Sequence, residues 1–247
     1  MLAVAGWQGR EEDGGLLDPC CGAGTIAIEA AQIACGIAPG LNRRYAFEKL
    51  LPFRDHLRLW RQLREQSQAA AHPPRVPIWS GDVSFRMTDF ATRNAERAGV
   101  IGAIEFKTAD ALQRPAPAPR GTLIMNPPYG ERIAPKGQGM AGARAGPSRQ
   151  PAPAHERDPE ATGFEGAADA AEFYSRLAAH WKKGYAGWTA HVLTPEAKLP
   201  TLMRLKESRR VPMWNGAIEC RLFRFDLVSG SMRKAEVPAP APDRAPT

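Results

Sequence analysis

The chain has 247 residues, 43% of them apolar and 24% charged, with 33 Lys plus Arg against 26 Asp plus Glu for a formal net charge of +7. This is enough apolar material for one sizeable core, and no apolar run nears the length of a membrane span and no basic-plus-apolar leader opens the sequence, so a cytoplasmic protein without a membrane partner is expected. The positive balance suits a polyanionic partner, and the four cysteines (Cys20, Cys21, Cys35, Cys220) form no Cys-x-x-Cys pair, which points to reduced core thiols and no metal.

In chain order the pattern alternates strand and helix, the signature of a parallel sheet covered on both faces. A first strand over 15–20 runs into Asp18-Pro19-Cys20-Cys21-Gly22-Ala23-Gly24-Thr25 and a helix over 25–35. Glycines at 22 and 24 let the backbone bend sharply and approach a ligand, and the helix start offers unpaired N–H groups. The third position of a dinucleotide-type fingerprint is Ala27, small enough for close helix–strand packing. A basic helix over 53–71 carries Arg54, Arg58, Arg61 and Arg64 near helical spacing and is closed by Pro73, Pro74 and Pro77. It reads equally as a phosphate-contacting face and as an ordinary solvated one. A second strand over 76–81 leads to Asp82, a helix over 86–98 stops at Gly99, and a third strand over 104–108 ends near Asp110. A Pro/Ala-rich loop then feeds the fourth strand.

That fourth strand delivers Leu123-Ile124-Met125-Asn126-Pro127-Pro128-Tyr129-Gly130. An exocyclic amine conjugated to a π-system is a poor nucleophile. The Asn126 side-chain oxygen and the Pro127 carbonyl can each accept one of its N–H groups and aim the freed lone pair at a methyl donor, while Tyr129 offers a ring face for stacking a base. Alone, the run is as readily a buried strand followed by a Pro turn. The glycine turn about a hundred residues upstream decides in favour of the chemistry.

After Ile133 the composition turns to Gly, Pro and Ala without apolar periodicity, so 134–166 is expected to be a disordered insertion, more readily a solvated loop than a lid, although Lys136, Arg144 and Arg149 are basic. A helix over 168–183, a strand over 188–193 and a short helix over 196–206 follow. Strands over 210–214 and 217–227 flank Asn215-Gly216, a type I′ hairpin signal, and a disordered tail is expected over 233–247.

The stretches "LLDPCCGAGTIAIEAAQIACGIAPGLNRRYAFEKL", "NAERAGV", "LIMNPPYGERI" and "NGAIECRLFRFDLVSGS" resemble the class I S-adenosylmethionine-dependent methyltransferases, and within them the catalytic domain of THUMP-containing ribosomal RNA guanine-N2 methyltransferases of the large subunit. The resemblance runs from Gly6 to about Met232 and implies one methyltransferase domain over 1–232, with a Rossmann-like seven-stranded sheet, mostly parallel with an antiparallel C-terminal hairpin. It implies S-adenosylmethionine as cofactor, ribosomal RNA or a ribosomal assembly intermediate as partner, and transfer of methyl to guanine N2. Asn126, Pro127, Pro128 and Tyr129 are the expected catalytic run, and Asp18, Cys20, Gly22, Gly24, Thr25, Asp82, Asp110 and Asn126 the expected cofactor-binding set. Asp82 would accept from both ribose hydroxyls, with Ser84 standing where relatives often place a second carboxylate; Asp110 would meet the adenine amine or cap its loop; Asp18 would hold the glycine turn and reach the methionine amine, or only cap the turn. The long spacing from Asp18 to Asp82 matches an insertion, "APG" through "FEKL", found in this subgroup. No general base is required, none of the five His residues sits in a recognised motif, and the target base is expected to be single-stranded or flipped. Arg132 could position a phosphate or pair with Glu131. The THUMP domain of the resembled proteins precedes the segment where this sequence starts, which implies weak substrate affinity for the chain by itself. Asn-Pro-Pro-Tyr also serves DNA adenine and protein glutamine methyltransferases; the "FEKL" and "ECRLF" segments favour the RNA enzymes, and an intact Asn126 argues against a cofactor-binding module without turnover.

Overall fold

A computed structural model describes residues 1–128 and 167–228. Seven strands form one sheet in the order β3-β2-β1-β4-β5-β7-β6: β1 (Gly15–Asp18), β2 (Ile78–Asp82), β3 (Glu105–Thr108), β4 (Gly121–Met125), β5 (Trp188–Thr194), β6 (Arg209–Asn215) and β7 (Ile218–Asp226). The first five pair in parallel, and β7 is antiparallel to both β5 and β6. The mostly parallel sheet with an antiparallel terminal hairpin is the fold the sequence implies.

Every residue of β1 and β4 is buried, as expected of central parallel strands covered on both faces. Their alternate residues serve opposite layers. Leu16, Ile78 and Ile124 pack with the inward face of α2 (Thr25–Ala34), where Ala27, Ala30, Ala31 and Ala34 recur at helical spacing. Leu17, Leu123 and Met125 pack against α5 (Ala167–Gly184) through Tyr174, Leu177 and Trp181. Small alanines let α2 lie close to β1, and each large side chain fully buried on the other face contributes about 1.5–3 kcal/mol. A short α1 (Leu2–Ala5) and α4 (Phe85–Arg97) lie on the α2 side, the latter exposing a basic face and burying Thr88, Ala91 and Ala95, and α6 (Leu199–Met203) packs with α5.

Besides α6, which spans only Leu199–Met203 of the helix expected over 196–206, two local features differ from the sequence expectation. The basic segment opens as a 3-10 helix over Leu51–His56 with Pro52 in its first turn, so the α-helix α3 (Leu57–Ala69) begins four residues late and Arg54 lies outside it. In the hairpin, Asn215 pairs with Ile218, making Gly216 and Ala217 the central turn residues. Gly216 takes a positive φ of 62° and Ala217 does not, which suits a Gly-first II′ connection rather than I′. The expected insertion over 134–166 and tail over 233–247 lie outside the described residues. Among the described residues no helix is long and apolar enough to cross a membrane.

Candidate active site

The carboxyl ends of β1, β2 and β4 converge at the point where the strand order reverses: β2 and β3 extend from one side of β1, β4 and β5 from the other. In open α/β sheets that crevice is where ligands bind. The glycine turn leaves β1 here. Cys21 N–H donates to the Gly81 carbonyl at 2.8 Å, Gly24 N–H to the Cys21 carbonyl at 2.8 Å, and Gly22 N–H to Asp82 Oδ2 at 3.0 Å. The other oxygen of Asp82 accepts from Ser84 N–H at 3.0 Å, so one carboxylate ties the turn after β1 to the turn after β2.

Both turn glycines have positive φ, 50° at Gly22 and 83° at Gly24, but their surroundings differ. A Cβ on Gly24 would sit 2.9 Å from Ala91 Cβ, whereas one on Gly22 would meet nothing within 4 Å among the described residues. Gly24 thus lets α4 approach, and Gly22 leaves open space above the turn. Asn94 of α4 completes the clamp by donating from Nδ2 to the Ala23 carbonyl at 2.8 Å. Gly24, the N-cap of α2, has no side chain to offer, so among the described residues the first turn of the helix, from Thr25 on, has no side-chain N-cap.

Asp18 ends β1 fully buried. Its Oδ1 accepts from Cys20 N–H at 3.3 Å, and its Oδ2 has no partner among the described residues. Burial first, then the neighbouring Asp82 charge, pushes its carboxyl up to about 8, against the Cys20 N–H bond and the Arg114 cation, which pull it down. The same burial, with Asp18 and Asp82 beside it, pushes the Cys20 thiol well up, which keeps it neutral. Asn126 follows directly on β4, and its Oδ1 is likewise buried with no partner among the described residues. A buried acceptor left unpaired costs about 1–3 kcal/mol, a cost that a donor from a ligand would remove. Pro127 is buried beside it and Pro128 exposed, while Tyr129, Glu131 and Arg132 lie outside the described residues.

Asp110 organises the turn after β3. Its Oδ1 accepts from Leu112 N–H at 2.8 Å and its Oδ2 from Gln113 Nε2 at 3.0 Å, the loop-capping geometry. It also lines a cavity of about 260 Å³ with Lys107, Ala109 and Arg114. A larger hollow of about 540 Å³ lies at the opposite, amino ends of β2 and β3. The structure therefore brings Asp18, Cys20, Gly22, Gly24, Thr25, Asp82 and Asn126 to one end of the sheet, with Asp110 at its β3 flank.

Sequence reasoning passed over two contributors. Arg114 is 6% exposed, donates from Nη1 to the Ser80 carbonyl at 3.0 Å, and is anchored through its own carbonyl, which accepts from the Tyr185 hydroxyl at 2.8 Å and from His180 Nε2 at 2.7 Å. Nothing in its Pro/Ala-rich loop marks it as buried. Asn94 had a readable signal, because it borders the helical stripe of Ala91 and Ala95 that faces the turn.

Residues 1–141 match the family model described as "RMKL-like, methyltransferase domain". The chain is 34% identical over 240 residues to ribosomal RNA large subunit methyltransferase K/L of Shewanella baltica, and 32% identical over 241 residues to the protein of that name from Shewanella pealeana. These alignments cover 95% and 96% of this chain but 29% of each relative, so the chain spans under a third of the length of the curated relatives it matches. Among solved structures, a possible methylase from Clostridium difficile 630 superposes with a TM-score of 0.68 and 27% identity over 94% of this chain and 50% of that one. A predicted N6-adenine-specific DNA methylase from Listeria monocytogenes shares the fold with a TM-score of 0.64 and 24% identity, over 86% and 46% of the two chains.

Proposed function

This chain belongs to the RMKL-like methyltransferase domain family, and we propose that it transfers a methyl group from S-adenosylmethionine to the N2 amine of a guanine in large-subunit ribosomal RNA. The observation that carries the reading is the buried Asn126 Oδ1 at the end of β4, without a partner among the described residues and one strand away from the glycine turn after β1. The donor set fits the cofactor: open space above Gly22, uncapped N–H groups around Thr25, a buried acceptor on Asp18, and a carboxylate on Asp82. When bound, the cofactor supplies a methyl group already activated on a sulfonium.

The chain's own residues then position and polarise. Asp82 uses one lone pair of each oxygen on the two turns and keeps a second on each for ribose hydroxyls. Asp110, whose oxygens each hold one donor, keeps the same spare capacity for the adenine amine at the cavity beside it. A methionine ammonium beside Asp18 would hold it as the carboxylate, whose Oδ2 would then accept from that amine, with Cys20 and the Gly22–Gly24 turn following it in the chain. Asn126 Oδ1 and the Pro127 carbonyl each accept one N–H of the target amine, which turns its lone pair toward the methyl, and Tyr129 stacks the base. The proton released from the alkylated nitrogen passes to water. The relatives' names point to ribosomal RNA of the large subunit as the substrate.

Incubation with large-subunit ribosomal RNA and labelled cofactor, followed by nucleoside mass spectrometry, tests the reading. N2-methylguanosine is the expected product. Methyl recovered instead on adenine, or preferentially on DNA or on a glutamine amide when these are offered in parallel incubations, would overturn the substrate assignment. Asn126→Ala should lower kcat by about 10²–10³-fold, as loss of one charge-stabilising hydrogen bond does in other enzymes, while calorimetry shows cofactor binding within a few-fold of wild type. An Asn126→Ala variant that turns over like wild type excludes the polarising role.

A further inference from the structure

Resting on that reading, we propose that residues 41–66 form an arm that grips the phosphates of the RNA substrate at a distance from the reacting base. The arm is the excursion between α2 and β2, closed at its root by His72 N–H donating to the Cys35 carbonyl at 2.9 Å. Not one residue from 36 to 75 is buried. It nevertheless keeps a shape of its own: the Trp60 ring meets Tyr45 edge-on at 5.5 Å and Phe47 at 5.2 Å, and Arg64 Nη2 donates to the Leu41 carbonyl at 3.1 Å.

The charge of this arm selects its partner. Residues 41–66 contain seven Lys and Arg against three acidic residues, more than half of the chain's net +7. None of the seven forms an ion pair among the described residues. Arg54, Arg58 and Arg61 are exposed, the first on the 3-10 turn and the other two one turn apart on α3. Exposed, uncompensated cations held on a folded support at this density fit a polyanion, whose counterions they displace. Leu59 and Leu63, 55% and 47% exposed, are the feature that a protein partner would use instead. The root of the arm, at the end of α2 and the start of β2, is at the amino end of the sheet, whereas Asn126 and the glycine turn are at its carboxyl end. Contacts made there affect how tightly the RNA is held and leave the chemical step alone.

The test is the salt dependence of RNA affinity for the whole chain, measured by anisotropy with a labelled RNA stem–loop and with oligouridylate. Each phosphate contact contributes about 0.7–0.9 to the slope of log K against log salt. The Arg54→Gln/Arg58→Gln/Arg61→Gln variant should lose about two to three units of that slope, raise KM for ribosomal RNA, and keep its Tm, cofactor affinity and kcat. An unchanged slope and affinity in this variant, with wild type binding RNA, overturns the arm and leaves the enzymatic reading standing. A wild-type chain that binds cofactor but no RNA overturns both the arm and the RNA assignment. Self-association lost in Leu59→Ser/Leu63→Ser, with the slope unchanged in the arginine variant, gives the surface to a protein contact and also overturns the proposal.

Discussion

Two buried ionisable side chains near the centre of the sheet pull stability in opposite directions as pH changes. Asp18 is raised from 3.8 to about 8 by burial, so between those values the folded chain holds a proton that the unfolded chain has released, and stability falls as pH rises. His191 on β5 is lowered from 6.5 to about 4 by burial and then by Arg224 across the strand pair, so in that window the unfolded chain holds the extra proton and stability rises with pH. From about 4 to 6.5 the two slopes cancel; from 6.5 to about 8 Asp18 acts alone. One proton corresponds to about 1.4 kcal/mol per pH unit, so that upper window should cost about 2 kcal/mol, or several degrees of Tm. Asp18→Asn, which keeps an acceptor for Cys20 N–H, should abolish the decline. Melting curves of the two proteins that shift in parallel across the window would refute this account. The sequence marks Asp18 by its place at a strand end before a glycine turn. Its protonation depends first on complete burial in the folded sheet and then on Asp82 and Arg114, 64 and 96 positions away, and no local pattern carries that.

The glycine turn separates two reasons for a glycine that look alike in the sequence. Gly22 needs only its positive φ, and an alanine there should cost about 1–2 kcal/mol for the left-handed backbone. Gly24 has the same backbone demand and also the Ala91 Cβ at 2.9 Å, so alanine must push α4 away and strain the Asn94 bond to Ala23. Gly24→Ala should therefore lower Tm clearly more than Gly22→Ala, while Gly22→Ala should weaken cofactor binding out of proportion to its small effect on Tm, because its methyl enters the open space. Equal losses of Tm would mean that α4 gives way without cost. Strands β1, β2 and β4 and their turns were legible because fully buried runs ending in Asp, Gly or Asn-Pro are unusual. The hairpin was legible but its turn was not: Asn215-Gly216 signals I′ from two residues, whereas pairing Met213 with Cys220 and Val211 with Leu222 fixes Gly216 as the first turn position. Likewise Pro52 favours the tight first turn that delays α3.

At the scale of the molecule, the sheet-centred body and the arm differ in what holds them. β1 and β4 are buried on every residue, but α3 buries none, although its 13 residues are near the length below which an isolated helix is marginal in water. The arginine spacing in the sequence reads equally as a phosphate-contacting or an ordinary solvated face; the fold adds that the core is already closed by α2, α4 and α5, leaving Leu59 and Leu63 outside it. Amide exchange should therefore resolve two layers in the free chain, with β1 and β4 opening only on global unfolding and α3 opening locally at far lower free energy. S-adenosylmethionine should slow the amides of residues 20–25, leave α3 unchanged and raise Tm by mass action, whereas RNA should slow α3. If α3 in the free chain exchanges as slowly as β4, the body supplies packing that its burial does not record, and the arm is a fixed part of the core rather than a separately folded support that opens on its own.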